Sequence, residues 1–133
     1  MTESLSVFSI FPVTPDRVYK AWLDSEEHCA FTNRKANIDP STGGKFSLWD
    51  GYITGETVLL EPFRIAQNWR TSDFPEDAPD SLLEIYFEYA DVGCQIIINH
   101  TGLPDGTADD YEQAWEDFYI SPMQGYFSRE ADY

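Results

Sequence analysis

Basic residues are scarce in this 133-residue chain: eight Lys and Arg stand against 24 Asp and Glu, for a formal net charge of −16. Binding of nucleic acid requires a cationic footprint that displaces counterions from phosphates. The densest basic point is the pair Arg34-Lys35, so nucleic acid is excluded as a partner, and an anionic membrane surface is excluded for the same reason. Cysteine is scarce too. Cys29 and Cys94 are too few for a disulfide framework, and both thiols are expected to be reduced. Long apolar runs are missing: nothing approaches the roughly 18 residues of a membrane span. Met1-Thr2-Glu3-Ser4 does not open the basic-then-apolar pattern of a secretory signal. These absences set an expectation of a cytoplasmic protein with no membrane partner.

The motifs of common catalysts are also missing. No Gly-x-Ser-x-Gly occurs, and neither cysteine stands beside a histidine. Gly43-Gly44-Lys45 lacks the upstream glycine and following Ser/Thr of a phosphate loop. Asp105-Gly106 followed by Asp109-Asp110 misses the ligand spacing of a calcium loop. The two histidines, His28 and His100, fall on different elements without an acidic partner at metal-ligand spacing. No metal, cofactor or catalytic residue is implied.

Aromatic residues are abundant, at 16% of the chain, with four Trp, eight Tyr and nine Phe. Such side chains bury large areas and line small-molecule pockets. Residues 5–11 alternate as a first strand. Thr14 and Pro15 then open a short helix carrying Val18, Tyr19, Trp22 and Leu23, and Ser25 caps a second one to about Thr32. His28, on that acidic helix, is expected to be exposed. Lys45–Trp49 and Tyr52–Leu60 read as a hairpin about a two-residue Asp50-Gly51 turn, with Gly55 marking a bulge or close packing. Arg64–Arg70, Leu82–Tyr89 and Gly93–Thr101 complete the sheet. From Asp109 or Asp110 the spacing turns helical, with Tyr111, Ala114, Trp115, Phe118 and Tyr119 along one face. Pro122 predicts a kink or a restart, with Met123, Tyr126 and Phe127 inward.

One first strand, two short helices, about six further antiparallel strands and a long final helix define an α+β fold of one domain over residues 1–133. A curved sheet needs a filling for its concave face, and the aromatic helix is the available element. Any space left between them is a ligand cavity. Strand alternation aims Leu83, Ile85, Phe87 and Tyr89 inward, leaving Glu84 and Glu88 as a solvated stripe rather than an acid–base pair. Ile98 and His100 share the inward face of their strand with Cys94 and Ile96. His100 either hydrogen-bonds a ligand at the cavity end or joins strand to helix as a satisfied core histidine. Gln67 shares a face with Ile65 and Trp69; it meets a ligand or buried water, or else that face points outward. Candidate lining residues are Gln67, Trp69, Ile85, Phe87, Ile98 and His100 from the sheet, with Tyr111, Trp115 and Phe118 from the helix.

The order of segments resembles a known family. Phe11–Asp24 (FPVTPDRVYKAWLD) is similar to its opening strand-to-helix segment, and GGKF at 43–46 with DGYITG at 50–55 to its first hairpin. EPFRIAQNWR at 61–70 resembles its central strand, and NHTGLP at 99–104 with Tyr111–Trp115 its last strand and helix. The family is the START-like (SRPBCC) proteins homologous to the C-terminal domain of the activator of the ninety-kilodalton heat-shock-protein ATPase. The resemblance implies a helix-grip fold with an internal cavity. It also implies two roles: binding of a small apolar or amphipathic molecule, or interaction with a chaperone or other protein. Some wider relatives are enzymes.

Overall fold

Period-two patterning builds the sheet. In the computed structural model, which describes residues 2–131, strand β6 (Ser81–Ala90) buries Leu83, Ile85 and Phe87 while Glu84 and Glu88 face the other way. Its partner β7 (Gly93–Pro104) buries Cys94, Ile96, Ile98 and His100 on the same side. With β1 (Thr2–Phe11), β2 (Ala36–Ile38), β3 (Lys45–Leu48), β4 (Ile53–Glu61) and β5 (Arg64–Thr71) they form one antiparallel sheet. The strand order is β1-β7-β6-β5-β4-β3-β2. Bulges between Glu3 and Leu5 and between Thr57 and Leu59 bend the two long strands that carry them.

Gly55 supplies close packing. A Cβ there would stand 1.8 Å from the Asn68 carbonyl oxygen and 2.6 Å from the Phe46 ring. The β3–β4 connection is longer than the two-residue turn expected. Leu48 pairs with Ile53, so residues 49–52 all lie in the loop, with positive φ at Trp49, Asp50 and Gly51. Tyr89 also departs from expectation. It lies next to the β6–β7 turn, beyond the reach of the helices, and is 75% exposed.

Helix α1 (Pro15–Leu23) starts on Thr14, whose hydroxyl accepts the Arg17 N–H. Helix α2 (Ser25–Thr32) is capped by Asp24 rather than Ser25; the Ser25 hydroxyl instead accepts the Ile38 N–H and ties the helix to β2. Arg17 clamps three elements, pairing with Glu27 on α2 and Glu130 near the C-terminus.

The final helix comprises α3 (Ala108–Trp115), a π-helical turn (Glu116–Ile120) and α4 (Ser121–Ala131). Its start is not capped by Asp109 or Asp110; Glu3 of β1 accepts the Ala108 N–H at 2.9 Å. The α-helical pattern restarts at Ser121 with Pro122 in its first turn, as expected, but through a π turn that keeps Ser121 in helical dihedrals and not through a break. In α-helical register the Pro122 ring would crowd the Phe118 carbonyl, four residues back. The π turn widens the register just before it, with the Ser121 N–H donating to the Glu116 carbonyl. Met123 and Phe127 then reach the core, which is one continuous cluster joining sheet and helices. Among the described residues no helix is long and apolar enough to cross a membrane.

Candidate functional site

Two inward polar side chains of the sheet are held by hydrogen bonds within the protein. Gln67 is buried; its carbonyl accepts the Trp22 indole N–H at 3.3 Å and its amide donates to the Thr57 hydroxyl at 3.0 Å. His100 is 0% exposed. The Trp115 indole N–H donates to His100 Nδ1 at 3.1 Å. That fixes the tautomer, so Nε2–H donates to the Ser81 hydroxyl at 2.7 Å, and the Ser81 O–H in turn donates to the Trp69 carbonyl at 2.8 Å. Burial pushes the His100 pKa down to about 3. The neutral ring joins β6 and β7 to α3 and keeps no nitrogen for a ligand.

His28 is buried rather than exposed, because Trp22, Phe31 and Tyr119 pack around it. Its Nδ1–H donates to the Trp22 carbonyl at 3.0 Å, and Nε2 accepts the Tyr119 hydroxyl at 2.9 Å. Burial pushes its pKa down to about 4, against the opposing pull of that carbonyl. Ile85, Phe87 and Ile98 are at most 1% exposed and fill the centre of the sheet's inner face.

Open space lies elsewhere, at the end of the sheet where the β3–β4 loop meets α3 and the π turn. There a slot of about 90 Å³ is walled by Trp49 and Tyr52 of the loop, Ile53 of β4, Trp69 of β5, and Tyr111, Ala114, Trp115, Phe118 and Tyr119 of the final helix. The slot gathers four of the sequence candidates, Trp69, Tyr111, Trp115 and Phe118. Gln67, Ile85, Phe87, Ile98 and His100 stay outside it. Phe118 stands at the rim, 41% exposed, instead of facing the core. Its ring meets Trp49 edge to face, with centroids 5.5 Å apart.

Trp49 is the residue that alternation misplaced, as the last position of a strand. Its φ of 57° is costly for a side chain of this size. The conformation turns the indole back over the helix, stacked on Tyr52 and Tyr119 at 5.9 Å each. The Trp49 Nε1–H is buried without a hydrogen-bond partner. The signal available in the sequence was a tryptophan directly before Asp-Gly, a place where no strand can bury it.

The slot's chemistry is that of neutral rings. Burial raises the pKa of Tyr52 to about 12, and also raises Tyr111 and Tyr119, so these phenols stay protonated. The Tyr111 and Thr71 hydroxyls share a hydrogen bond of 2.8 Å, and the Tyr52 hydroxyl donates to Asp73. The Cys94 thiol, pushed up to about 11 by burial, lies in the filled core; Cys29 is free as well.

Comparison with known proteins places these observations in a family context. The family model described as "Activator of Hsp90 ATPase homolog 1-like protein" matches residues 12–128. The activator of 90 kDa heat shock protein ATPase homolog 1 of Mus musculus is 26% identical over 127 residues, covering 95% of this chain but 37% of its own length. The uncharacterized protein C1711.08 of Schizosaccharomyces pombe is likewise 26% identical, with 95% of this chain and 38% of its own length covered. The chain thus spans little more than a third of these curated relatives. Among solved structures, an HSP90 activator from Plasmodium falciparum superposes with a TM-score of 0.81 at 20% identity, covering 96% of each chain. Ara h 8.0201 gives 0.75 at 16% identity, covering 97% of this chain and 99% of the other. Both support the fold: a curved antiparallel sheet with two short helices, gripping a long C-terminal helix.

Proposed function

The chain belongs to the activator of Hsp90 ATPase homolog 1-like family, and from that premise we propose that it is a binding module whose aromatic slot receives the apolar part of a small amphipathic molecule. The observation that carries this reading is the slot itself. At about 90 Å³ it is far smaller than the roughly 300–1,000 Å³ of drug-sized pockets, so its occupant inserts one ring or one branched group. The unpartnered Trp49 N–H favours an amphipathic molecule over a purely apolar one, because a buried donor without a partner costs about 1–3 kcal/mol that a ligand oxygen would recover. Residues 1–133 act in this reading as one START-like unit.

The test is a titration with benzyl alcohol, one ring bearing one hydroxyl, followed by tryptophan fluorescence. Saturable quenching that Trp49→Leu weakens at least tenfold is the expected result. Quenching unaffected by Trp49→Leu and by Trp115→Leu rejects the slot. Native mass spectrometry of protein purified without denaturation then identifies any molecule that co-purifies.

A second reading, interaction with a chaperone or other protein, is favoured by the activator relatives and by Phe8 and Ile10, which expose 69% and 42% of their surface on β1. Replacing both with Ser would abolish stimulation of a heat-shock ATPase under this reading and leave it unchanged under the first.

A further inference from the structure

We propose that the slot recognises an organic cation, specifically an ammonium nitrogen carrying small apolar substituents. The inference rests on the slot being a ligand site and assigns the charge of its occupant.

The first observation is the wall. Seven of the nine lining residues are Trp, Tyr or Phe, and none is charged. Aromatic faces carry negative quadrupole density and attract a cation by about 0.5–2 kcal/mol, more strongly as water is removed. A substituted ammonium is the kind of cation such a wall suits. Its charge is spread over methyl or methylene groups that need no hydrogen bond, whereas a bare ammonium or guanidinium would lose its water without replacement.

The second observation is the approach. A neighbouring hollow shares Tyr52, Tyr111 and Ala114 with the slot and adds Asp73, Asp110 and Thr107. Two exposed carboxylates therefore stand on the shelf beside the aromatic wall. They lie on a molecule of net charge −16, whose field concentrates cations at a concave site and opposes anions. Asp73 is held in place by the Tyr52 hydroxyl.

The third observation is a cation already held by two of these rings. The Arg34 guanidinium lies 5.0 Å from the centroid of Trp49 and 5.6 Å from that of Phe118. Among the described residues it forms no ion pair, unlike Arg17, Lys20, Arg64 and Arg70. Ring faces at the slot's edge thus hold positive charge without a carboxylate. Arg34 also sets a cost, since a second cation nearby is repelled by it. Neutralising Arg34 is therefore expected to tighten cation binding, the reverse of the effect of removing a ligand-binding arginine.

The experiment separates charge from shape. Choline and 3,3-dimethylbutan-1-ol have nearly the same outline and the same hydroxyl, and differ in a quaternary nitrogen against a quaternary carbon. Both are titrated into the full chain by tryptophan fluorescence at low and at 0.5 M salt. Choline is expected to bind at least fivefold more tightly than the alcohol. Asp73→Asn with Asp110→Asn should narrow that ratio about threefold, and Arg34→Gln should widen it, while both variants bind the alcohol like the unaltered protein. Equal binding of the two probes, or a preference for the alcohol, overturns the cation assignment and leaves the slot intact as an apolar site. Binding of neither probe, together with a failed benzyl alcohol titration, rejects the slot itself. A choline preference that persists in Trp49→Leu places the cation on the acidic shelf instead of the rings, and also overturns the proposal.

Discussion

The two halves of the sheet's inner face pack differently. Around β6 and β7, Leu83, Ile85, Ile96 and Ile98 are sealed at 0% exposure. Branched aliphatic side chains interlock because their methyl groups fill one another's hollows. Toward β3 and β4 the residues are flat rings. Trp69 and Trp115 tilt by 34°, Trp69 and Tyr111 cross at 87°, and Trp49 and Phe118 cross at 77°. Edge-to-face and tilted rings satisfy their own quadrupoles but leave a wedge between planes, and that wedge is the slot. The fold supplies the frame for a cavity, while side-chain shape decides which half of it stays open.

The largest expected effect breaks the frame from either half. Trp115→Ala should cost about 3–5 kcal/mol and Ile85→Ala about 2–5 kcal/mol in urea unfolding, because both side chains are buried. Trp115→Ala also orphans His100 Nδ1. Glu116→Ala, exposed one residue along, should change stability by about 0.5 kcal/mol or less. The halves then diverge: Trp115→Ala should enhance uptake of an apolar dye by the native protein, and Ile85→Ala should not. Equal dye uptake by both variants would erase the distinction between filled and open halves.

A smaller effect concerns the buried histidines. Burial lowers the pKa of His100 to about 3 and that of His28 to about 4 in the folded state, against about 6.5 when unfolded. Below pH 6.5 the unfolded chain therefore binds more protons than the folded one. Stability is full above 6.5 and is lost as pH falls toward 3. Removing one such group with His100→Gln should lower stability at neutral pH yet flatten the decline by about 1.4 kcal/mol per pH unit between about pH 5.5 and 4. Parallel pH profiles for the two proteins would contradict the neutral, buried state assigned to His100.

The smallest expected effect on stability belongs to the rim. Phe118→Ala should cost about 1 kcal/mol or less, since the ring is half-exposed, while weakening benzyl alcohol binding severalfold. A variant as damaged as Trp115→Ala would place Phe118 in the frame instead of at the mouth.

The frame was legible because it rests on period. Alternation in β6 and β7, the Thr14-Pro15 start of α1 and the Tyr111-Trp115-Tyr119 face of the last helix each follow from one local rule, and the structure has them. The slot was half legible. Its helix side and Trp69 came from periodicity, but Trp49 and Tyr52 sit in a loop whose shape depends on positive φ at three successive positions. His28 escaped for a related reason. Two glutamates beside it in the sequence suggested solvent, while the aromatic side chains that bury it come from Trp22 and from Tyr119, 91 residues away. Tyr89 obeyed the alternation and still reached solvent, because alternation gives the face of a strand and not how far the covering helices extend. The π turn was visible only as Pro122, since proline signals a disturbed register without saying how the helix absorbs it.

The central claim is that the aromatic end of the sheet–helix core holds an open slot while the β6–β7 half beside it is filled. The four indole N–H resonances test it in one nitrogen-correlated NMR titration with benzyl alcohol. Trp49, Trp69 and Trp115 line the slot; Trp22 is bonded to Gln67 in the filled core. The account predicts saturable shifts of the first three with a common dissociation constant, and the smallest shift for Trp22. A Trp22 resonance that moves most, or four that stay fixed while the probe binds, would contradict it.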